Sequence, residues 1–258
     1  MESSIESQIG KIAAKFKYPD SRVLYQITST LSEIIEEANF EIKKEFIKIV
    51  ATDPGKIAYI EINMPYETFL EYDVTKDINM GVNVQSLNNI VSRGKKGDNV
   101  LFLVSEQNIL IKIEGDVIKK YLIPNIEVSI DVPKEIKIDF DTRVVVIGDT
   151  FKKILSDASS FGDIVELVAD ENSFKVRAKT EGPRAEVNLT KGSTSLIELE
   201  TKGKSVSSYD VNYLKNVLNL AKIAETVEIR FSSEKPIELI FNAPDKSKIR
   251  YLLAPTTQ

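Results

Sequence analysis

The chain repeats its own pattern of apolar residues after 127 positions. An i, i+3, i+7 stripe typical of a buried helix face recurs with this offset, and so does an alternation typical of a half-buried strand. The matched positions are Leu24 and Phe151, Ile27 and Ile154, Leu31 and Ala158, Ile47 and Phe174, Ile49 and Val176, Ala51 and Ala178, Val84 and Val211, Leu87 and Leu214, Ile90 and Val217, Val91 and Leu218, Val100 and Val227, Phe102 and Ile229, and Val104 and Phe231. A constant register over about 80 positions indicates an internal duplication, so the fold must be built twice.

Each half predicts the order helix, strands, helix, strands. Short strands at close spacing, with two helices per half, predict an α+β fold of antiparallel sheets carrying helices on one face. The predicted helices are Ser21–Glu36, Gln85–Arg93, Thr150–Phe161 and Val211–Ala221, with Asp20 and Asn83 as N-caps of the first two. The predicted strands include Val117–Ile123, Lys137–Ile147 and Ala185–Leu189.

The length of 258 residues suits two domains of about 125 residues each. Between them, the stretch from Pro124 to Pro133 is bounded by prolines and has no helical period, so we expect an extended linker. The predicted boundaries are an N-terminal extension over 1–14, a first domain over 15–123, a linker over 124–136 and a second domain over 137–258. A disordered arm is one interpretation of the extension.

The composition excludes several classes of protein. Without cysteine there is no disulfide framework or zinc–thiolate site, and without histidine the commonest general base and metal ligand is missing. No apolar run approaches a membrane span, and the polar N-terminus does not resemble a signal peptide, so the cytoplasm is the expected compartment. The lack of Cys and Trp, with abundant Lys, Glu and Ile, favours a thermophilic source.

Positive charge is concentrated in the predicted helices of an otherwise acidic chain. The windows 21–32, 85–96, 150–161 and 211–222 contain eight basic residues against one acid, Asp157. These windows therefore carry a net charge of +7 in a chain of net charge −5, so the rest of the chain carries a net charge of −12. The eight residues, called the basic set below, are Arg22, Arg93, Lys95, Lys96, Lys152, Lys153, Lys215 and Lys222. For one helix a solvated face is the simpler interpretation, but four helices with the same bias indicate a polyanion, contacted at its phosphates without base readout.

Three stretches of the sequence resemble a known family. The run from Asp53 to Tyr72, the motif Met80-Gly-Val-Asn-Val84 and the ending Tyr251-Leu-Leu-Ala-Pro255 are similar to segments of the proliferating cell nuclear antigen family, in the family's order and spacing. The detail is most similar to archaeal clamps, including those built from paralogous subunits. The resemblance implies the DNA clamp fold: a ring of three subunits and six domains, with helices lining a hole for double-stranded DNA. It also implies a non-enzymatic processivity factor without cofactors, whose partners are a clamp loader and polymerase, flap endonuclease and ligase clients.

The resemblance also implies sites for DNA, clients and neighbouring subunits. The basic set would face the hole, with Lys153 at a position that is basic in the family. The client pocket would comprise Thr52, Lys56, Ile130, Val132, Pro236, Ala254, Pro255 and Thr256, where Lys56 replaces a family histidine. Head-to-tail closure needs an edge strand at each end of the subunit, for which the candidate residues are Val117, Ile118, Tyr121, Ala185, Val187 and Leu189. Because such edges need not be self-complementary, a ring with paralogues is favoured over a homotrimer.

Other functions have little support in the sequence. The run Gly94-Lys-Lys-Gly97 lacks the spacing and hydroxyl of a nucleotide-binding loop, and no acidic run has the glycine and distal glutamate of a calcium loop. We therefore nominate no catalytic residue and no metal ligand. Two alternatives remain open: an acidic two-domain interaction scaffold that never touches DNA, and a specialised clamp of the checkpoint type.

Overall fold

The structure is a computed structural model that describes residues 5–129, 132, 136–179, 181 and 185–256. The chain forms two compact units. Unit 1 comprises Met1–Ala51, Glu61–Val132 and Asp245–Ser247, and unit 2 comprises Thr52–Ile60, Pro133–Pro244 and Lys248–Gln258.

Unit 1 is built from antiparallel strands and two α-helices. Its elements are β1 (Ala14–Tyr18), α1 (Ser21–Ser32), β2 (Glu37–Ile42), β3 (Phe46–Thr52), most of β4 (Ala58–Pro65), β5 (Glu71–Val74), β6 (Ile78–Asn83), α2 (Val84–Val91), β7 (Asn99–Val104), β8 (Asn108–Glu114) and β9 (Lys119–Pro124). A five-stranded sheet has the order β5-β1-β7-β8-β9, and the remaining strands follow the order β4-β3-β2-β6. A 3₁₀ helix over Ile5–Gln8 precedes β1.

Unit 2 repeats this arrangement. Its elements are β10 (Thr142–Ile147), α3 (Gly148–Ser159), β11 (Ile164–Ala169), β12 (Ser173–Lys179), β13 (Glu186–Thr190), β14 (Leu196–Thr201), β15 (Ser205–Asp210), α4 (Val211–Asn216), α5 (Leu218–Ala221), β16 (Thr226–Phe231), β17 (Ile237–Asn242) and β18 (Lys248–Leu253). Its strand orders are β14-β10-β16-β17-β18 and β13-β12-β11-β15. Adding nine to each strand label of unit 1 reproduces both orders, which confirms the duplicated α+β fold.

The predicted capping residues start both helices of unit 1, although α2 begins at Val84 and not at the predicted Gln85. Asp20 Oδ1 accepts from the backbone N–H of Arg22 at 2.7 Å, and Asn83 Oδ1 accepts from that of Ser86 at 2.9 Å. Both side chains satisfy N–H groups that have no partner within the first turn. The two predicted N-caps are therefore confirmed.

The helix ends differ from the prediction, because the last turns tighten into 3₁₀-type bonds. The first helix was expected to run to Glu36 but ends at Ser32, after which the N–H groups of Glu33 and Ile34 bond to carbonyls three residues back. The second helix ends at Val91 and not at Arg93. The fourth helix breaks at Val217, where the N–H bonds to the carbonyl three residues back, the 3₁₀ pattern.

The start of α3 depends on a close approach between two parts of unit 2. The predicted helix was expected to begin at Thr150, but α3 begins at Gly148. A Cβ at Gly148 would lie 2.3 Å from the carbonyl oxygen of Ala224, so only glycine fits there. α3 also ends two residues early, at Ser159 and not at Phe161.

Three strands were missed, and three others begin later than predicted. β1, β5 and β15 were not predicted. β9 begins at Lys119, because the residues before it form the loop of the β8–β9 hairpin. β10 begins at Thr142, which pairs with Thr201 and Phe231 on its two sides, whereas the predicted strand began at Lys137. Ala185 lies just before β13. Among the described residues, no helix is both long and apolar enough to span a membrane.

Candidate DNA, client and subunit interfaces

The helices of unit 1 bury one face and expose the other. Leu24, Ile27 and Leu31 of α1 are at most 4% exposed, and α1 packs against α2. Arg22 lies off this stripe and is exposed. The polar face of α1 is therefore free to contact a partner.

The basic residues after α2 lie on a loop that is tied to the start of α1. Because α2 ends at Val91, the residues Arg93, Lys95 and Lys96 lie in the following turn and not on the helix. The backbone N–H of Gly97 donates to Asp20 Oδ2 at 3.1 Å, and the N–H of Ser21 donates to the carbonyl of Asp98 at 2.8 Å. These bonds bring the loop to the same end of α1 as Arg22.

The basic residues of unit 2 lie on or beside its helices. Lys153 on α3 and Lys215 on α4 are exposed, whereas Lys152 is half-buried. Lys222 follows α5 as its C-cap, is exposed, and donates to Asn219 Oδ1 at 2.7 Å. α3 packs against α4 and α5, so these side chains share one helical layer.

No member of the basic set forms an ion pair with another described residue. Exposed lysines elsewhere often form ion pairs, such as that between Lys76 and Glu106 at 2.9 Å. Charges without a counter-ion attract a mobile anion or a polyanion. The assignment of this set to DNA stays a prediction.

The turn over residues 53–58, called the Asp53 turn, is organised by one buried carboxylate. Asp53 is 8% exposed, and its Oδ1 accepts from the N–H groups of Ile57 and Ala58 at 2.7 and 2.6 Å. Its Oδ2 accepts from the N–H of Gly55 at 3.1 Å. The turn holds Lys56, an exposed residue, at a positive φ of 54°. Asp53 was not predicted as a site residue, although Asp before Pro-Gly is a recognised turn signal.

Backbone bonds join the Asp53 turn and the C-terminal segment within unit 2. The N–H of Ala254 donates to the carbonyl of Ile57 at 2.9 Å, and the N–H of Thr256 donates to that of Ser208 on β15 at 2.9 Å. The segment therefore bridges the turn and the edge of the four-stranded sheet. The hydroxyl of Thr52 donates to the carbonyl of Ala58 at 2.9 Å, so Thr52 also lies beside the Asp53 turn.

An open groove of about 510 Å³ lies beside this segment, lined by Pro255, Thr256, the 206–208 part of β15 and Glu234 among others. The carbonyl of Lys235, next to Pro236, accepts from Tyr209 Oη at 2.8 Å, which brings Pro236 to the same strand. Of the eight predicted client positions, six therefore lie in unit 2. Val132 is half-buried and belongs to unit 1, and Ile130 lies outside the described residues.

Both predicted subunit edges are terminal strands of their sheets. Among the described strands, β9 pairs only with β8, and β13 pairs only with β12. Tyr121, Val187 and Leu189 are half-buried on these strands, and Ala185 is half-buried just before β13. Val117 and Ile118 lie in the hairpin loop and are 66% and 60% exposed. Terminal strands offer unpaired N–H and C=O groups that another chain can pair with.

The start of the linker is anchored within unit 1. Asn125 accepts the N–H of Gly81 on its Oδ1 at 2.8 Å, and its amide donates to the carbonyls of Asn79 and Ser105. A Cβ at Gly81 would lie 1.9 Å from the carbonyl oxygen of Ile126. The glycine of the Met80-Gly-Val motif is therefore needed where the linker crosses β6. In the described ranges no cluster of three acidic side chains is placed to hold a metal ion.

Family models and relatives agree with this architecture. The model described as "Proliferating cell nuclear antigen, N-terminal domain" matches residues 13–132, and that described as "Proliferating cell nuclear antigen, C-terminal domain" matches residues 134–256. The chain is 39% identical over 246 residues to DNA polymerase sliding clamp 1 of Aeropyrum pernix, a match covering 94% of this chain and 99% of that protein. It is 32% identical over 240 residues to DNA polymerase sliding clamp 1 of Sulfolobus acidocaldarius, covering 92% and 97%.

Solved structures share the fold. A chain of PCNA from Thermococcus kodakaraensis superposes with a TM-score of 0.88 at 21% identity, over 94% of this chain and 100% of that one. A chain of the PCNA2-PCNA3 complex from Sulfolobus tokodaii gives a TM-score of 0.88 at 25% identity, over 95% and 100%. Both halves are thus matched by the family's two domain models, and the protein belongs to the proliferating cell nuclear antigen family.

Proposed function

We propose that this chain is one subunit of a DNA polymerase sliding clamp, a non-enzymatic ring that encircles duplex DNA and tethers replication and repair proteins to it. Membership of the family, and relatives named DNA polymerase sliding clamps, support the clamp function. The observation that carries the DNA contact is the basic set, whose members lack ion-pair partners among the described residues. Contact through phosphates alone suits a protein that must slide, since it carries no sequence preference. We further propose that the protein acts in the cytoplasm, in association with the nucleoid.

Charge reversal on α3 tests the DNA contact. Lys152→Glu/Lys153→Glu changes the charge of one helix, and Lys202→Glu/Lys204→Glu makes the same change on exposed residues outside the helices. We expect the first variant to lose retention on circular DNA equally for all sequences, and the second to retain DNA as the wild type does. Equal loss in both variants would mean that only net charge matters. No loss in either would favour the alternative of an acidic interaction scaffold that does not bind DNA.

We further propose that clients bind beside the linker and the C-terminal segment. Half-buried Pro255 and the groove next to it offer apolar contacts for a short peptide, and extended backbone offers strand-like hydrogen bonds. Replacing Ile130 and Val132 with Ala should abolish stimulation of polymerase, flap endonuclease or ligase while ring assembly persists. Retained stimulation in that variant, with an unchanged far-UV circular dichroism spectrum, would place the client site elsewhere. A client set confined to checkpoint proteins would support the specialised clamp.

Ring closure is proposed to occur through β9 of one subunit and β13 of the next. Both are terminal strands, and a family neighbour has been solved as a complex of two different clamp chains. We expect sedimentation analysis to show a trimer when the chain is mixed with paralogous clamp subunits and a clamp loader to be needed to place it on DNA. A monomer in every mixture would refute the ring.

A further inference from the structure

Residues 5–12, called the N-terminal segment below, precede the part of the chain that the family model matches, which starts at residue 13. The segment nevertheless packs on unit 1. It begins with the 3₁₀ helix Ile5–Gln8, which contacts β9, and continues through Ile9, which is only 6% exposed. Gly10, with a φ of 82°, then turns the chain towards β1. A segment outside the common domain therefore has a defined place on the fold.

Alternation along β8 shows which face of the sheet the segment covers. The isoleucines of β8 are fully buried and face the core of the unit. Because side chains alternate along a strand, Asn108, Leu110 and Lys112 point to the opposite, outer face. Leu110 nevertheless has 0% exposure, so another part of the chain must cover it.

The contacts of the N-terminal segment identify that cover. The carbonyl of Gln8 accepts from Asn108 Nδ2 at 3.0 Å, and Glu6 Oε1 lies 2.5 Å from Lys112 Nζ. Asn108 and Lys112 flank Leu110 on the same face. The segment consequently passes over Leu110, with its two polar contacts on either side.

Glu6 also neutralises two lysines that face each other across the hairpin. Lys112 on β8 and Lys120 on β9 are directly opposite in the ladder, and like charges at such positions destabilise a strand pair. Glu6 Oε1 lies 3.0 Å from Lys120 Nζ as well as close to Lys112. Hydrogen bonds from these two ammonium groups lower the pKa of Glu6 to about 2. The carboxylate therefore stays charged at any physiological pH.

Lys120 lies on a terminal strand of its sheet, because β8 is the one neighbour of β9 in the part of the chain that the structure describes. We propose that the N-terminal segment is a strap that holds the β9 edge in the conformation to which the edge strand of a neighbouring clamp subunit adds. This inference rests on the proposed ring closure through β9. Without the strap, Lys112 and Lys120 repel each other and Leu110 is uncovered, so β9 frays. A frayed edge must be ordered during binding, which weakens association.

Amide hydrogen exchange of the full-length chain tests the strap without reference to assembly. Glu6→Lys replaces the attraction to both lysines with repulsion, and Glu6→Lys/Lys112→Glu/Lys120→Glu restores it with opposite signs. Glu41→Lys is the matched control, because it breaks the ion pair with Lys43 in the same unit, on β2, which is not in the β5-β1-β7-β8-β9 sheet. We expect exchange in β9 to become severalfold faster in Glu6→Lys, to recover in the triple variant and to stay unchanged in the control. Ile9→Ser should have a larger effect than Glu6→Lys, since burial of an isoleucine outweighs an exposed ion pair.

The role in assembly is tested by sedimentation with each paralogous clamp subunit of the same organism. Glu6→Lys should weaken association severalfold, and Glu41→Lys should not. Unchanged β9 exchange in both Glu6→Lys and Ile9→Ser would overturn the strap, whatever association shows. Faster exchange with unchanged association would overturn its role in assembly. If the wild-type chain associates with no subunit, the proposed ring fails instead, and the exchange result still decides whether the segment straps β9.

Discussion

Replacing Asp53 with alanine tests whether one buried carboxylate organises the turn at the proposed client site. Its two oxygens accept three backbone N–H groups, from Gly55, Ile57 and Ala58, at 2.6 to 3.1 Å. Tyr213 Oη adds a long contact at 3.5 Å. Alanine removes all of these side-chain bonds, while the backbone bond from the N–H of Lys56 to the carbonyl of residue 53 at 2.9 Å remains.

The expected cost follows from which donors water can reach. Ala58 is 2% exposed, so its N–H loses a charged acceptor with no replacement, which costs about 1.5–3 kcal/mol. Gly55 and Ile57 are exposed, so water can replace the lost acceptor of their N–H groups. Losing each of these two hydrogen bonds therefore costs about 0.5 kcal/mol. We therefore expect the free energy of unfolding of unit 2 to fall by about 3 kcal/mol. Asp53→Asn keeps a neutral acceptor for Ile57 and Ala58 and should cost only about 1 kcal/mol, because charge-assisted bonds are roughly twice as strong as neutral ones.

Urea unfolding followed by far-UV circular dichroism measures these changes, and binding of a client peptide measures the effect on the site. The alanine variant should also bind the peptide more weakly at temperatures where it remains folded, because the carbonyl of Ile57 positions Ala254 through a 2.9 Å bond. A loss below about 1 kcal/mol for alanine, or equal losses for alanine and asparagine, would refute the argument from a charged acceptor. Unchanged peptide affinity with the expected loss of stability would show that the turn is structural only.

Four further predictions address other parts of the molecule. Gly81→Ala should lower the stability of unit 1 by about 1–3 kcal/mol in thermal unfolding, since the new Cβ would meet the Ile126 carbonyl at 1.9 Å. Tyr18→Phe should cost about 1–2 kcal/mol in urea unfolding through the lost 2.5 Å bond to Asp245. Burial raises the pKa of Tyr18 well above its ordinary value of 10.0. The contribution of its hydroxyl to the free energy of unfolding is therefore full below pH 10 and falls as the pH rises further. The phenylalanine variant should not show that fall. For Glu6 the pKa is lowered from 4.5 to about 2, so docking of its carboxylate should be complete above pH 4.5 and lost as the pH falls towards 2, as followed by NMR of the carboxyl carbon. Lys153→Gln should reduce the slope of log affinity for DNA against log salt by about 1, equally for different sequences.

The duplication, the fold class and the N-caps of the first two helices could be predicted because each rests on a local pattern. Apolar spacing separates helix from strand over a few residues, and caps such as Asp20 bond to backbone two or three positions away. The missed strand β1 shows the limit. Ala14–Tyr18 pairs with β5 and β7, whose residues lie more than 50 positions further along the chain. The pattern of its five residues does not indicate which strands it pairs with.

The candidate sites show the same division between features that the sequence predicts and features that only the tertiary structure decides. The sequence by itself determined that basic residues gather at the helices, that prolines bound the stretch between the halves, and that Asp20 and Asn83 cap the first two helices. Only the tertiary structure decided that the loop of Lys95 returns to the start of α1, that Asp53 organises its turn, and that Glu6 lies between two facing lysines. The physical reason is the separation along the chain between the residues that interact. A cap or a turn is a bond between near neighbours, whereas an ion pair such as that of Glu6 and Lys112 forms only after the sheet has brought distant residues together.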